Sequence, residues 1–335
     1  MTEARPSPLL EPMPVGGMRG VVEAALRGAP DGCLGVVLAT EGSTYRRAGA
    51  MIHIASDGHR AGWVSGGCLE PELEALAGEV MQAGRMRLLC IDTRDDGDIV
   101  FGSGTGCRGR QWLALLPMRA LPKATEQLQA WSDGDLPLHV SVHLDGQVRM
   151  RVGQFDSRWS LAVDRHPGLD AQDGAQWQVE VAPPPRLVLF GGGPESTPLL
   201  WQLRTLGWHV EAVERRPHWR ERVLAADRHV ECVPREWPDP VQRLDAALLM
   251  HHNFELDREA LERLAPLDIA HIGLLGPPRR RDDLLATLDP GLVQRLKPRL
   301  QAPVGLILGG RGPEAIALAV AAGLHQWRQH RHGDA

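Results

Sequence analysis

Lysine is nearly missing from this sequence. Only Lys123 and Lys297 occur, so the positive charge rests on arginine, whose planar fork suits phosphate at a few positions and solvated surface at most. An excess of charge is missing too. The 37 Lys and Arg stand against 42 Asp and Glu, a formal net charge of −5, which excludes a general nucleic-acid binder and a polybasic membrane-surface protein. The five cysteines, Cys33, Cys68, Cys90, Cys107 and Cys232, are odd in number and show no CxxC spacing. Neither a disulfide framework nor a structural zinc knuckle is expected from them. Free thiols suit a reducing compartment, so the expected location is the cytoplasm. Residues 1–20 hold no continuous apolar core of the kind a signal peptide needs. The longest apolar stretch, 315–324, is about half of the ~20 residues required to span a membrane. There is no fixed-period repeat, no low-complexity tract, and no G-x-S-x-G, H-E-x-x-H or Walker loop.

What remains is an ordinary globular composition, 43% hydrophobic and 24% charged, over 335 residues, enough for about two domains. The pattern predicts a helix over 18–29, a buried strand over 33–40, a hairpin over 51–64 around Ser56-Asp57-Gly58-His59, a helix over 70–81, and strands over 86–92 and 111–116. The stretch 121–181 differs: one helix over 123–131, a hairpin turning at Asp145-Gly146, and short strands over 159–163 and 177–181. Pro183-Pro184-Pro185 is a stiff spacer. Beyond it, strands over 186–190, 209–214, 228–233, 246–250 and 269–275 alternate with helices, the last starting at Pro313. The expectation is an α/β chain with an N-terminal domain over 18–117, a β-rich connecting segment over 118–184, and a Rossmann-like parallel sheet over 185–330.

Chemistry is expected at the glycine-rich loops. Gly191-Gly192-Gly193 lies between a strand and a helix, with Ser196 where a dinucleotide fingerprint carries its third glycine. Glu214, twenty-one residues beyond Gly193, ends the next strand, where an acid grips ribose hydroxyls. His252 and Asn253 follow a later strand at the carboxyl edge where open α/β sheets bind ligands. In Ser65-Gly66-Gly67-Cys68-Leu69-Glu70 a strand runs into two glycines, and Cys68 is expected to begin a helix. That setting turns N–H groups toward an anion and favours a thiolate, as nucleophile or soft-metal ligand; the plainer reading is a small buried cysteine. Gly106 and Cys107 close a second glycine-dense loop, which suggests two thiols, Cys68 and Cys107, facing one crevice. Arg46 and Arg47, beside the lone Tyr45, are forks suited to phosphate.

Taken together, Gly42-Ser43-Thr44-Tyr45-Arg46-Arg47-Ala48-Gly49-Ala50-Met51 and Ser65-Gly66-Gly67-Cys68-Leu69-Glu70 resemble the N-terminal signature of the XdhC/CoxI family. Phe190-Gly191-Gly192-Gly193, Val213-Glu214-Arg215-Arg216, His252-Asn253 and Gly273-Leu274-Leu275-Gly276 are similar to that family's Rossmann domain. The resemblance implies a chaperone that binds molybdenum cofactor (molybdopterin or its dinucleotide form), protects its sulfurated state, and delivers it to an apo molybdenum hydroxylase of the xanthine dehydrogenase type. It also implies a cysteine desulfurase as sulfur donor, a homodimer, and Arg216 among the binding residues. Two alternatives stay open: an NAD(P)-dependent oxidoreductase using the C-terminal sheet, and a sulfur-transfer protein using Cys68.

Overall fold

Apolar runs such as Cys33-Leu34-Gly35-Val36-Val37-Leu38 need cover on both faces, and the computed structural model supplies it. It describes residues 15–94, 108–165, 169 and 176–332. The chain divides into two compact units, Gly16–Pro184 and Pro185–Asp334.

The first unit holds a six-stranded sheet made of β1 (Cys33–Gly42), β2 (Met51–Ile54), β3 (Arg60–Gly62), β4 (Met86–Asp92), β5 (Gly109–Pro117) and β9 (Val163–Arg165). Its order is β3-β2-β1-β5-β4-β9, and all neighbours are antiparallel except β4 and β9. Alternation decides what each face carries. Leu113 and Leu115 join Ile52, Ile91 and Val37 under helix α2 (Glu70–Ala83), which presents Leu73, Ala77 and Val80. Leu34, Val36, Ala114 and Leu116 face the other way. There they pack with α1 (Gly17–Gly28), α3 (Ala124–Asp133) and a second, four-stranded sheet. Its strands are β6 (Leu138–His143), β7 (Gln147–Val152), β8 (Phe155–Ser160) and β10 (Gln176–Val181), in the order β10-β6-β7-β8. Trp131 of α3, 1% exposed, anchors this layer, its indole N–H donating to the Val181 carbonyl at 3.0 Å.

The strand expected over 159–163 is two elements instead. β8 ends at Ser160 in the four-stranded sheet, and β9 begins at Val163 in the six-stranded one. Between them the Leu161 N–H bonds the Gly146 carbonyl and the Ala162 carbonyl accepts from Met86. The chain therefore changes sheets across two residues, which alternation alone does not reveal.

The second unit is a wholly parallel sheet of β11 (Arg186–Phe190), β12 (His209–Val213), β13 (Arg228–Val230), β14 (Ala246–Leu249), β15 (His271–Leu274) and β16 (Leu300–Gln301). Its order, β13-β12-β11-β14-β15-β16, is the doubly wound Rossmann order with the reversal between β11 and β14. Helices α4 (Ser196–Thr205) and α8 (Pro313–His332) cover one face, through Leu199, Leu203, Val320 and Leu324. α5 (Phe254–Leu264), α6 (Pro278–Leu285) and α7 (Pro290–Leu296) cover the other, through Leu261, Leu264, Leu284 and Leu296. The connection after β12 is a 3-10 segment, Pro217–Val223, and the expected strand over 228–233 stops at Val230. Proline at 217 starts the first as a tight turn, and β13 ends where its partner does, Val230 lying opposite Val213, the last residue of β12.

Candidate functional site

The Ser65–Glu70 turn is built around a buried carboxylate. Glu70, 1% exposed, accepts from the Val64 and Ser65 N–H groups at 3.2 and 2.9 Å through Oε1, and from the Ser65 hydroxyl through Oε2. Ser65 Oγ in turn accepts from the Gly67 and Leu69 N–H groups, both at 3.1 Å. Burial by itself would raise the Glu70 pKa. The Ser65 hydroxyl and the backbone donors outweigh it and hold the carboxyl below its ordinary range. Two expectations change accordingly. The helix begins at Glu70, so Cys68 lies on the loop ahead of it. The Gly67 donor expected to face an anion is engaged from within by Ser65.

What the turn exposes is the thiol. Gly66, Gly67 and Cys68 are all exposed, whereas Cys33 and Cys90 are buried and Cys232 half-buried. Burial pushes the Cys33 thiol up to about 12, which leaves it chemically inert. Tyr45 and Trp63, 58% and 48% exposed, stand against the turn: the Tyr45 ring is beside Gly66 and the Trp63 ring beside Gly67. The Arg60 guanidinium covers the Trp63 ring at 4.3 Å.

Beside Tyr45 and the turn a small cleft, open to solvent, descends to the edge of the α2 core. Its lining includes Tyr45, Ser65, Gly66, Cys68, Thr93 and Gln111. Gln111, 5% exposed, shares the α2 face of β5 with Leu113 and Leu115, and its Oε1 has no hydrogen-bond partner among the described residues. Motif reading does not select Tyr45, Thr93 or Gln111 as site residues. The one signal the sequence offers for Gln111 is a polar residue at an inward position of an otherwise apolar strand. Arg46 and Arg47 do not line this cleft: Arg46 is half-buried with its guanidinium 3.7 Å from Met18 Sδ, and Arg47 is exposed. Gly106 and Cys107 lie outside the described residues. Among the described residues no three His, Cys, Asp or Glu side chains gather as a metal-binding group.

The C-terminal unit builds its glycine turn differently. Gly191 sits at φ +98°, and a Cβ there would stand 2.6 Å from the His251 backbone. A Cβ on Gly192 would meet the Trp219 carbonyl at 2.8 Å, because the Pro217–Val223 segment lies over the turn. The Gly192 N–H donates to Glu214 Oε2 at 2.6 Å, and the Gly193 N–H to Ser196 Oγ at 2.9 Å. Glu214, 2% exposed, accepts further from the Arg216 N–H at 2.7 Å and from both sides of the Arg216 fork at 2.9 and 2.6 Å. Arg216 also donates to the His251 and Gly192 carbonyls, at 3.0 and 3.2 Å. Burial would raise the Glu214 pKa, yet Arg216 and the Gly192 N–H bring it below its ordinary range. The acid expected at ribose hydroxyls is thus engaged by its own unit.

Beside this clamp, at the reversal point, His252 adopts φ +54°, a strained conformation for a side-chain-bearing residue. Its imidazole, half exposed, lies 3.2 Å from Glu195 Oε2. The neighbouring His251 is buried against Asp257 at 3.1 Å, and Arg280 holds the other Asp257 oxygen at 2.6 Å. Asn253 caps α5, its Oδ1 accepting from the Leu256 N–H at 3.0 Å.

Comparison with known proteins adds to this geometry. Residues 26–92 match the family model described as the XdhC and CoxI family, and residues 187–324 the one described as the XdhC Rossmann domain. A protein of Bacillus subtilis (strain 168) described as a probable xanthine dehydrogenase component is 26% identical, the match covering 94% of this chain and 98% of that protein. The molybdenum cofactor insertion chaperone PaoD of Escherichia coli (strain K12) is 24% identical, over 95% of this chain and 89% of that one. A crystal structure described as a xanthine dehydrogenase from Bacillus halodurans superposes with a TM-score of 0.75 at 26% identity, covering 93% of this chain and 96% of its own. With both halves of its motif set matched in order, the chain belongs to the XdhC/CoxI family.

Proposed function

We propose that this protein binds molybdenum cofactor, shields its sulfurated form, and hands it to an apo hydroxylase of the xanthine dehydrogenase type, acting as an accessory factor and not as a catalyst. The observation that carries the proposal is the exposed Cys68 thiol at the mouth of a cleft, in a chain of this family. A thiolate is a soft ligand suited to a sulfur-rich metal centre. An exposed one on an internally braced turn can release its cargo without unfolding the site. The cofactor supplies the oxidation chemistry in the client enzyme; this chain contributes a donor at Cys68, an aromatic face at Tyr45 and an enclosing cleft. Cys107 is the proposed companion thiol, and a cysteine desulfurase the proposed source of sulfur.

Protein purified without oxygen should yield the fluorescence of oxidised pterin together with molybdenum, and should restore activity to apo-hydroxylase when mixed with it. Protein that carries no pterin and takes up none when cofactor is added overturns the proposal.

A second reading concerns the C-terminal unit. Its Rossmann strand order and the His252–Glu195 pair at the reversal point favour a nucleotide-bearing ligand at that edge, held outside the glycine turn that Glu214 closes. Calorimetry with NAD and NADP tests it, and absence of binding heat with both eliminates a nicotinamide cofactor.

A further inference from the structure

The cleft beneath Cys68 contains one buried polar side-chain atom without a partner among the described residues. Thr44 donates its hydroxyl to the Arg46 carbonyl at 2.8 Å, and Thr93 Oγ1 both donates to the Gly109 carbonyl and accepts from the Gly109 N–H. Ser65 is locked to Glu70, Gly67 and Leu69. Gln111 alone among these lining groups has a buried acceptor, Oε1, with no partner among the described residues, in a side chain only 5% exposed. An acceptor left unpaired at that depth carries a desolvation cost, and folded proteins keep such groups where a ligand or water completes them. Its register places it opposite Ile91 on β4 and Thr40 on β1, with Leu113 next on the same face. Gln111 is also among the residues that line the cleft, and that is the side from which a donor would approach it. Tyr45 and Gly66 both line the cleft, the Tyr45 ring lying beside Gly66, which presents no side chain there.

We infer that Gln111 is a specificity-determining residue: its Oε1 accepts a hydrogen bond from an exocyclic amino group on the edge of a flat heterocycle that lies along Tyr45 and enters this cleft. This inference rests on the molybdenum cofactor reading for the identity of the heterocycle, the aminopyrimidinone ring of a pterin. The Cys68 thiol stands at the same mouth, so one bound molecule can meet an edge-reading acceptor and a soft donor together.

The test uses two metal-free probes, pterin-6-carboxylate and lumazine-6-carboxylate, which differ in bearing an amino group or an oxygen at ring position 2. Fluorescence titration of the full chain should show pterin bound about tenfold more tightly than lumazine, the discrimination expected when one buried acceptor loses its donor. Gln111→Met, close in volume and unable to accept strongly, should erase that preference while its thermal unfolding midpoint stays at or above that of the parent. Tyr45→Ala should weaken both probes alike, since stacking does not read the edge. Equal affinity for the two probes, no saturable binding of either, or a preference that survives in Gln111→Met overturns the inference. The two readings fail separately. A chain that discriminates the probes but never carries molybdenum retains the edge-reading role and loses the delivery role. A chain that carries cofactor with Gln111→Met unaffected loses the edge-reading role alone.

Discussion

The two units each turn a strand into a helix through glycines, and each ties that turn with a buried glutamate, yet they finish in opposite states. In the N-terminal unit Glu70 comes from the helix itself, five residues after Ser65, and satisfies the turn locally. The loop residues Gly66–Cys68 are left outside, exposed, over an open cleft. In the C-terminal unit Glu214 comes from the end of the neighbouring strand and brings Arg216 with it, and Trp219 then lies across Gly192. One carboxylate braces a turn and leaves it accessible; the other closes a turn that a dinucleotide fold would keep open. The lesson is that a glycine motif reports backbone freedom, while the origin of the group that satisfies it decides whether a ligand can reach it.

Breaking the C-terminal clamp should have the largest effect. Glu214→Ala takes the carboxylate from the half-buried Arg216 guanidinium and the acceptor from the buried Gly192 N–H, so it should cost about 3–5 kcal/mol in urea unfolding. An unchanged midpoint would show that the turn holds without it. The next effect is on pH. His271, 6% exposed, has its pKa lowered to about 4 by burial, against roughly 6.5 in an unfolded chain. As pH falls through that window the unfolded chain takes up a proton that the folded one refuses, so stability drops, by up to roughly 3 kcal/mol at the acid end. His271→Leu should flatten this limb in a stability profile. Glu70 and Glu214 act at lower pH: their depressed pKa values contribute stability that is present above the ordinary carboxylate range and is lost as pH falls through the folded values.

The N-terminal turn should prove cheaper to disturb. Glu70→Gln keeps an acceptor for the backbone but weakens its bonds, for a loss of about 1–2 kcal/mol by the same urea measurement. A loss as large as that of Glu214→Ala would erase the distinction between the two turns. Cys68→Ala, on an exposed loop, should change stability by less than about 0.5 kcal/mol while sharply reducing pterin retained through anaerobic purification. Full retention by this variant would remove the thiol from the proposed site.

Much of the fold could be read in one dimension. Strands 86–92, 147–152 and 186–190 match β4, β7 and β11, because continuous or alternating apolar runs bounded by turn residues leave little choice. The break between β8 and β9 could not be read, since it depends on which sheet accepts each half of a continuous pattern. The candidate site divides the same way. Ser65, Gly66 and Cys68 are visible as a motif and do line the cleft; Arg46 and Arg47 are equally visible and do not. Gln111 lies forty-three residues from Cys68 and joins it only because β5 pairs between β1 and β4 under the turn.

Composition and periodicity by themselves determined an α/β chain with, among the described residues, free cysteines and no helix apolar enough to cross a membrane, and with glycine turns at strand ends, because those properties are local to a few consecutive residues. Tertiary structure alone decided which turn stays open, which acid is consumed by its neighbours, and that a glutamine lining the cleft has an acceptor without a partner among the described residues. Each of those depends on groups distant in sequence competing for the same few hydrogen bonds, and burial settles that competition only once the sheets have formed.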